Sequence, residues 1–168
     1  MDSDCLFVEP VSPADYFVDG KPVLLQATYH WLVNFQQANL GMWKAAVDNA
    51  LGGNSEREFM RRHPAVHKRD VYGIARQIIK GHTGKDCADY IRSCEEAFPQ
   101  TFCEFNTLGE VAWGAFRSDY HWLDQEKGEW PHAKVVQFWS HASPELPQSP
   151  VYKDHPFECT PESLLKIL

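Results

Sequence analysis

Residues 71–81 read VYGIARQIIKG, and their pattern predicts the first element of the fold. Apolar residues fall at i, i+3, i+4, i+7 and i+8, which is the spacing of one face of an α-helix. They are Val71, Ile74, Ala75, Ile78 and Ile79. Gly81 follows them, and glycine is the residue that most often ends a helix. We therefore predict an amphipathic helix that ends at Gly81.

The segments on either side of this helix also have helical signals. Residues 26–51 contain no proline and place apolar side chains on one helical face. Ser55 and Glu58 form a capping-box pattern, which predicts the start of a short helix. Residues 83–98 have an N-cap threonine and an apolar stripe, which predict a further helix. We therefore predict that residues 25–98 form a helical part.

After Pro99 the pattern changes from helical to strand-like. Three short segments are rich in β-branched and aromatic residues and are separated by glycine or proline, which is typical of strands. They are residues 101–105, 111–116 and 135–139. Residues 126–129 read EKGE and predict a hairpin turn of the longer, glycine-containing type.

The order of these elements predicts an α+β fold. Helices first and strands after place an N-terminal helical part on one face of a small antiparallel C-terminal sheet. Residues 1–24 are predicted to be an irregular arm, residues 100–168 the strand-rich part, and residues 163–168 a short C-terminal helix. We expect residues 1–168 to form a single domain, because 168 residues that are 43% hydrophobic are near the usual size of one core.

Hydropathy and cysteine content predict the cellular location. The chain has no run of about 18 apolar residues and begins with an acidic segment, so we expect neither a membrane span nor a secretion signal. Five cysteines without a CxxC pair predict reduced thiols rather than disulfides. We therefore expect a cytoplasmic protein. We expect no cofactor, because the glycine motifs that bind phosphates and dinucleotides do not occur in the sequence.

The formal net charge of −7 predicts the kind of partner. We do not expect such a chain to bind nucleic acid, because that affinity depends on neutralising many phosphates. Acidic residues combined with aromatic anchors are better suited to a basic protein surface. Both occur around the predicted hairpin turn, and the residues that we expect to bind are Trp122, Asp124, Glu126, Glu129 and Trp130. The function expected first is a non-enzymatic protein-binding module, such as an inhibitor or an immunity-type antagonist.

A first alternative is a metal-dependent or cysteine-based hydrolase. His63 and His67 stand four residues apart with Asp70 three further on, and two histidines with a carboxylate are a common zinc-binding set. The other version uses Cys87 as a nucleophile and His82 as its base, because a thiol near a helix N-terminus and a histidine can have a lowered pKa.

A second alternative is the binding of an anionic ligand or of nucleic acid. Positive charge is concentrated within 13 residues of an otherwise acidic chain, and such a cluster can hold phosphate or carboxylate groups. The candidate residues are Arg57, Arg61, Arg62, Lys68 and Arg69.

The last third of the chain contains a series of short motifs. They are a Trp-bearing segment read as a strand (Val111-Ala112-Trp113-Gly114), an acidic turn, the tripeptide Phe138-Trp139-Ser140, Tyr152, and a terminal Pro161-Glu162-Ser163-Leu164-Leu165. On these motifs, residues 108–165 resemble a small bacterial domain family of unassigned function. The resemblance implies an α+β fold and supplies no catalytic residues.

Overall fold

The structure divides into two compact units. A computed structural model describes residues 5–7, 10–36, 41–60, 65–96, 102–129 and 135–137. The main unit is Ser12–Pro131, and the terminal unit is Met1–Val11 together with His132–Leu168. The single-domain organisation of the chain stays a prediction.

The main unit contains a four-stranded mixed sheet. Strand β3 (Lys21–Thr28) pairs antiparallel with β2 (Phe17–Val18) and with β4 (Arg57–Glu58). It pairs parallel with β5 (His121–Asp124). The prediction of a purely antiparallel sheet confined to the C-terminal half is therefore wrong, because its most connected strand lies near the N-terminus and one of its pairings is parallel.

The composition of β3 explains why its segment was predicted to be an arm followed by a helix. Every residue from Val23 to Ala27 is buried, so both faces of the strand are covered. A strand covered on both faces has a continuous apolar run and lacks the alternation that identifies a half-exposed strand. A turn at Asp19 and Gly20, which have φ values of +50° and +73°, joins β2 to β3.

Five α-helices lie in the described residues. They are α1 (Tyr29–Gln36), α2 (Gly41–Leu51), α3 (Arg69–Thr83), α4 (Cys87–Glu96) and α5 (Glu104–Ala115). The helix predicted from residues 71–81 is confirmed as α3, but it continues past Gly81 and is capped by Gly84 in the left-handed conformation (φ +70°). The short helix predicted to begin at Ser55 is wrong, because β4 occupies Arg57–Glu58.

Helix α5 replaces two predicted strands, residues 101–105 and 111–116. Its buried positions spread around the helix and include polar residues and a glycine: Asn106, Thr107, Gly109, Val111 and Ala112. A helix buried on most sides shows no clear 3.6-residue hydrophobic period, so its apolar and aromatic content was interpreted as strand. The Trp-bearing segment that contributes to the family resemblance is therefore helical.

Helix α3 connects two hydrophobic clusters of the main unit. The first joins β3, α3, α5 and the segment after α5, through Leu24, Val71, Ala75, Val111, Ala112 and Tyr120. The second joins α2, α3 and α4 through Ala46, Ala50, Ile79, Tyr90 and Cys94. The inward face of α3 therefore packs against the core along its length, and its other face is exposed.

The terminal unit contains a two-stranded antiparallel sheet. Strand β1 (Cys5–Phe7) pairs with β6 (Val135–Gln137). The predicted strand at residues 135–139 is confirmed over Val135–Gln137, and the predicted helix at residues 163–168 lies outside the described residues. The α+β class is confirmed. No helix in the described part of the chain has the length and apolar character that a membrane span requires.

Candidate functional site

The exposed face of α3 forms one wall of an open groove, which we call the α3 groove. The groove has a volume of about 720 Å³. Its lining residues are Arg69, Asp70, Tyr72, Gly73, Ile74, Arg76, Gln77 and Phe116. All except Phe116 belong to α3, and Phe116 directly follows the last residue of α5. The groove therefore lies between α3 and the end of α5.

The helical period of α3 explains which side chains line this groove. Its core residues occupy one face, so Arg69, Tyr72 and Arg76, at spacings of three and four, share another. Tyr72 is 44% exposed, which is a large fraction for an aromatic side chain. A Cβ atom at Gly73 would meet no atom within 4 Å, so the space above this part of the helix is open.

The α3 groove has a small surplus of positive charge. Among the described residues, neither Arg69 nor Arg76 has a carboxylate partner in an ion pair. Asp70 is the one carboxylate in the lining, so the two guanidinium groups are only half balanced. The two arginines are two helical turns apart, which separates them by about 10 Å along the axis.

A second pocket, which we call the His67 pocket, lies next to the start of α3. It has a volume of about 450 Å³. Its lining residues are Phe17, Gly20, Lys21, Pro22, Val66, His67, Lys68 and Asp119. The His67 ring packs near Tyr72 and Tyr120, with centroid distances of 6.3 and 6.2 Å. Burial lowers the pKa of His67 to about 4, so its imidazole is neutral at pH 7.

A third feature is a cluster of arginine and tryptophan side chains. The guanidinium carbons of Arg57 and Arg117 lie 4.4 and 3.9 Å from the ring centroid of Trp113. Trp122 packs edge-on against Trp113 at 4.8 Å, and its Nε1–H donates to the carbonyl oxygen of Arg117 at 2.8 Å. The predicted anchor Trp122 therefore serves intramolecular packing, and Trp130 lies outside the described residues.

The predicted acidic binding residues make hydrogen bonds within the chain. The carboxylate of Asp124 accepts from the main-chain N–H of Glu126 at 3.1 Å, and that of Glu126 accepts from the N–H of Thr28 at 2.6 Å. Glu129 accepts from the N–H of Asp124 at 2.8 Å. Lys127 forms an ion pair with Asp124 at 3.0 Å. These carboxylates fix the turn after β5, and their role in binding a partner stays a prediction.

The residues of the predicted anion-binding cluster have separate surroundings. Arg57 stacks on an indole, Lys68 forms an ion pair with a carboxylate, and Arg69 lines the α3 groove. Arg61 and Arg62 lie outside the described residues. Of the three described members, Arg69 is thus the one that an external anion can reach without displacing an existing contact.

The predicted metal site is not assembled in the described residues. His67 lines the His67 pocket, Asp70 lines the α3 groove, and His63 lies outside the described residues. Within the described ranges no three histidine, cysteine, aspartate or glutamate side chains form a group that could hold a metal ion. The metal-dependent alternative therefore stays a prediction.

The predicted thiol pair has separate packing roles. The His82 ring lies beside Gly52, where a Cβ atom would come within 2.1 Å of the imidazole Nδ1. Cys87 packs against the second hydrophobic cluster. The hydrogen bonds of the described residues include none between these two side chains. The cysteine-based alternative also stays a prediction.

Of the eight residues that line the groove, only Arg69 and Asp70 were candidates from the sequence, and the side chains of Tyr72, Arg76 and Phe116 are the most informative of those missed. The signal for Tyr72 was present, because it is an aromatic residue on the polar face of a helix that was correctly predicted. Arg76 lies seven residues beyond the dense run of positive charge at residues 57–69, so charge density did not single it out. Phe116 had no such signal, because its place depends on how α5 packs against α3.

Comparison with known proteins gives no relative from which a role could be transferred. No family model matches the chain, and neither a curated protein nor a solved structure matches it. The resemblance of residues 108–165 to a bacterial domain family stays a prediction. The case for function therefore depends on the geometry of the described residues.

Proposed function

We propose that this protein is a non-enzymatic binding module whose α3 groove holds an acidic segment of a partner protein. The observation that carries the proposal is the exposed Tyr72 between Arg69 and Arg76, whose guanidinium groups lack ion-pair partners among the described residues. The proposal keeps the protein-binding class expected from the sequence. It changes the expected charge of the partner from basic to acidic.

The residue types of the groove support this proposal. Tyrosine and arginine are enriched among the residues that contribute most to protein–protein affinity. An unpaired guanidinium group can accept a carboxylate with two parallel hydrogen bonds, which gives both orientation and affinity. The separation of about 10 Å between the two arginines is close to that of carboxylates three residues apart in a polyproline II segment, where residues i and i+3 share a face about 9 Å apart.

A pull-down from an extract of the native host, followed by binding measurements with the recombinant partner, tests the proposal. Tyr72→Ala and Arg76→Glu each remove one recognition element, whereas Lys85→Glu changes an exposed charge outside the groove lining. We expect each groove variant to weaken binding by about 30-fold or more, as for a residue at the centre of an interface. Equal affinity of wild type, Tyr72→Ala and Arg76→Glu would exclude the groove as the binding site.

A second candidate surface is the acidic turn after β5, for the basic partner expected from the sequence. The observation in its favour is that main-chain N–H groups hold Asp124, Glu126 and Glu129 in place, with Lys127 as the ion-pair partner of Asp124. Carboxylates fixed in this way lose little conformational entropy on binding. Glu126→Gln and Glu129→Gln keep an acceptor oxygen and remove the charge. They should weaken a basic partner's binding and leave an acidic partner's binding unchanged.

The proposal includes a cytoplasmic location. The described thiols of Cys87, Cys94 and Cys103 are free, and a reducing compartment keeps thiols in that state. Fractionation of host cells with an antibody against the chain tests this part. Recovery of the protein from an oxidising compartment would contradict it.

A further inference from the structure

The polar side chains of the α3 groove are arranged in a line along the helix. Arg69 and Arg76 are seven residues apart, so they leave α3 in nearly the same direction, about 20° apart around its axis. Tyr72 and Gly73 lie halfway between them along the axis, one on each side of that line. Asp70 lies about 100° around the axis from Arg69 and flanks the line. A ligand that contacts both guanidinium groups must therefore pass over the Tyr72 ring and the bare main chain at Gly73.

The groove also presents hydrogen-bond donors that the described residues leave unused. The hydrogen bonds of the described part of the chain include none from the side chains of Tyr72, Arg76 or Gln77, which are all exposed. Gly73 has no side chain, and a Cβ atom there would meet nothing within 4 Å, so the main chain of a ligand can come close to the helix at this point. The ligand that uses all these features has free carbonyl groups as well as carboxylates.

The spacing of the arginines discriminates between the conformations of an acidic segment. In a polyproline II helix the residues on one face recur every three positions, about 9 Å apart, and no internal hydrogen bond occupies the carbonyl groups. On one face of a β-strand the spacings are about 7 and 13 Å, and neither is close to the separation of about 10 Å between the arginines. An α-helix places residues seven apart at about 10 Å, but its carbonyl groups are bonded within the helix and would leave the donors of Tyr72 and Gln77 unused.

We infer that the acidic segment of the partner is a proline-containing stretch in the polyproline II conformation, with acidic residues at positions i and i+3. The two carboxylates bind Arg69 and Arg76. The two residues between them, at least one of them proline, pack against Tyr72 and Gly73. Grooves with exposed aromatic rings are the usual docking surface for polyproline II segments, whose preformed conformation lowers the entropy cost of binding. This inference rests on the proposed function of the α3 groove and specifies its partner.

Two peptides of identical composition and charge test the spacing. They are EPPEPPG, with glutamates three residues apart, and EPPPEPG, with glutamates four residues apart. The amide signals of residues 69–77 of the full chain are followed by NMR at constant ionic strength. We expect EPPEPPG to bind about fivefold tighter or more, because in EPPPEPG the second glutamate is turned by a third of a turn and only one carboxylate reaches a guanidinium group. Equal affinity of the two peptides overturns the inference.

Two further peptides test the conformation of the segment. EAAEAAG keeps the spacing of the glutamates and removes the prolines, and an alanine-rich helical peptide with glutamates seven residues apart represents the α-helical alternative. We expect both to bind more weakly than EPPEPPG. Tighter binding of the helical peptide overturns the inference and leaves the groove as the binding site of a helical acidic segment.

A matched pair of variants shows whether the peptide uses the groove arginines. Arg76→Gln removes one guanidinium group, and Lys85→Gln removes an exposed positive charge outside the groove lining. We expect Arg76→Gln to weaken binding of EPPEPPG about tenfold and to abolish the preference over EPPPEPG, and Lys85→Gln to change neither. Equal affinity of wild type and Arg76→Gln, or the absence of saturable shifts at residues 69–77 with every peptide, overturns the inference. The affinity of the whole partner for Tyr72→Ala decides the proposed function of the groove separately.

Discussion

Helices α3 and α5 are of similar length, yet they differ in how they meet the rest of the molecule. In α3 the buried residues are Val71, Ala75 and Ile79, which stand four apart on one face. In α5 the buried set includes consecutive residues, among them Asn106 with Thr107. The hydrophobic period is visible in a sequence only when part of the helix meets water. The exposed face that made α3 predictable is also the face that lines the candidate binding groove.

The two helices should also differ in their tolerance of substitution. Side chains on the exposed face of α3 contact mainly solvent, so a substitution there removes few contacts within the protein. A substitution in α5 disturbs close contacts with β4, with Phe59 directly after β4, and with Tyr29 of α1. The free energy of unfolding of variants in each helix measures this contrast.

The largest effect is expected for Gly109→Ala in α5. A Cβ atom at this position would lie 2.2 to 2.6 Å from the Cγ, Cδ2 and Cβ atoms of Phe59, which is 3% exposed. Because the Phe59 Cβ is attached to the backbone, the ring cannot swing away without moving the chain. We expect the free energy of unfolding to fall by about 3 kcal/mol or more, measured by urea unfolding.

A double-mutant cycle identifies the cause of that loss. Phe59→Ala removes the Cγ and Cδ2 atoms that lie nearest the added Cβ, so the pair Phe59→Ala with Gly109→Ala should lose less stability than the sum of the two single variants. Additive losses would mean that the contact between these two residues does not limit the packing of α5.

The next largest effect is expected for Asn106→Ala. The Asn106 side chain is fully buried, accepts from the main-chain N–H of Phe59 at 2.8 Å and donates to the hydroxyl of Tyr29 at 3.2 Å. Its removal leaves two buried polar groups without this partner, so we expect a loss of about 2 to 3 kcal/mol. The control Asn54→Ala removes an exposed amide bound to Lys44 and should cost less than about 0.5 kcal/mol. Equal losses for both variants would contradict the importance of this buried network.

The same contrast explains which parts of the fold could be predicted from sequence. The helix predicted from residues 71–81 has one buried face and one exposed face, so its apolar residues recur with the 3.6-residue period of a helix. Strand β3 and helix α5 are buried on more than one face, so neither the two-residue nor the 3.6-residue period was visible. Their types depend on which segments pack against them, and the local pattern of residues does not show that.

The candidate sites depend on tertiary contacts even more than the helices and strands do. Composition identified the acidic residues at 124–129. It gave no indication that their carboxylates already accept hydrogen bonds from main-chain N–H groups, such as that of Thr28. The density of basic residues identified Arg69, but not its groove partner Phe116. A charge count predicts the type of ligand. Which charges are already paired becomes known only from the structure.

A pH-dependent effect is expected at His67, which lies between the two regions and packs against Tyr72 of α3 and Tyr120 after α5. Burial lowers the pKa of His67 from its ordinary value of 6.5 to about 4, so the unfolded chain takes up a proton at higher pH than the folded chain. The folded state therefore loses stability as the pH falls below 6.5 towards 4, and the loss is absent above about pH 7.

Comparison of wild type with His67→Gln measures this effect, because both proteins share every other titrating group. We expect wild type to lose about 2 kcal/mol more than the variant between pH 7 and pH 4, in urea unfolding at several pH values. Parallel stability curves would show that the folded state admits a proton to the His67 ring without cost.

The smallest effect, and the one of opposite sign, is expected at the two glycines of α3, Gly73 and Gly81. A Cβ atom at either position would meet nothing within 4 Å, and both residues are helical. Alanine restricts the unfolded chain more than glycine does, so Gly73→Ala and Gly81→Ala should each raise the free energy of unfolding by about 0.5 to 1 kcal/mol.

Gly73 lines the α3 groove and Gly81 does not, so Gly73→Trp should weaken partner binding while Gly81→Trp leaves it intact. If Gly73→Ala instead destabilised the chain while Gly81→Ala stabilised it, the space above Gly73 would be occupied in the folded protein. The groove would then be a packed intramolecular contact, and the proposed binding site would have to be sought elsewhere.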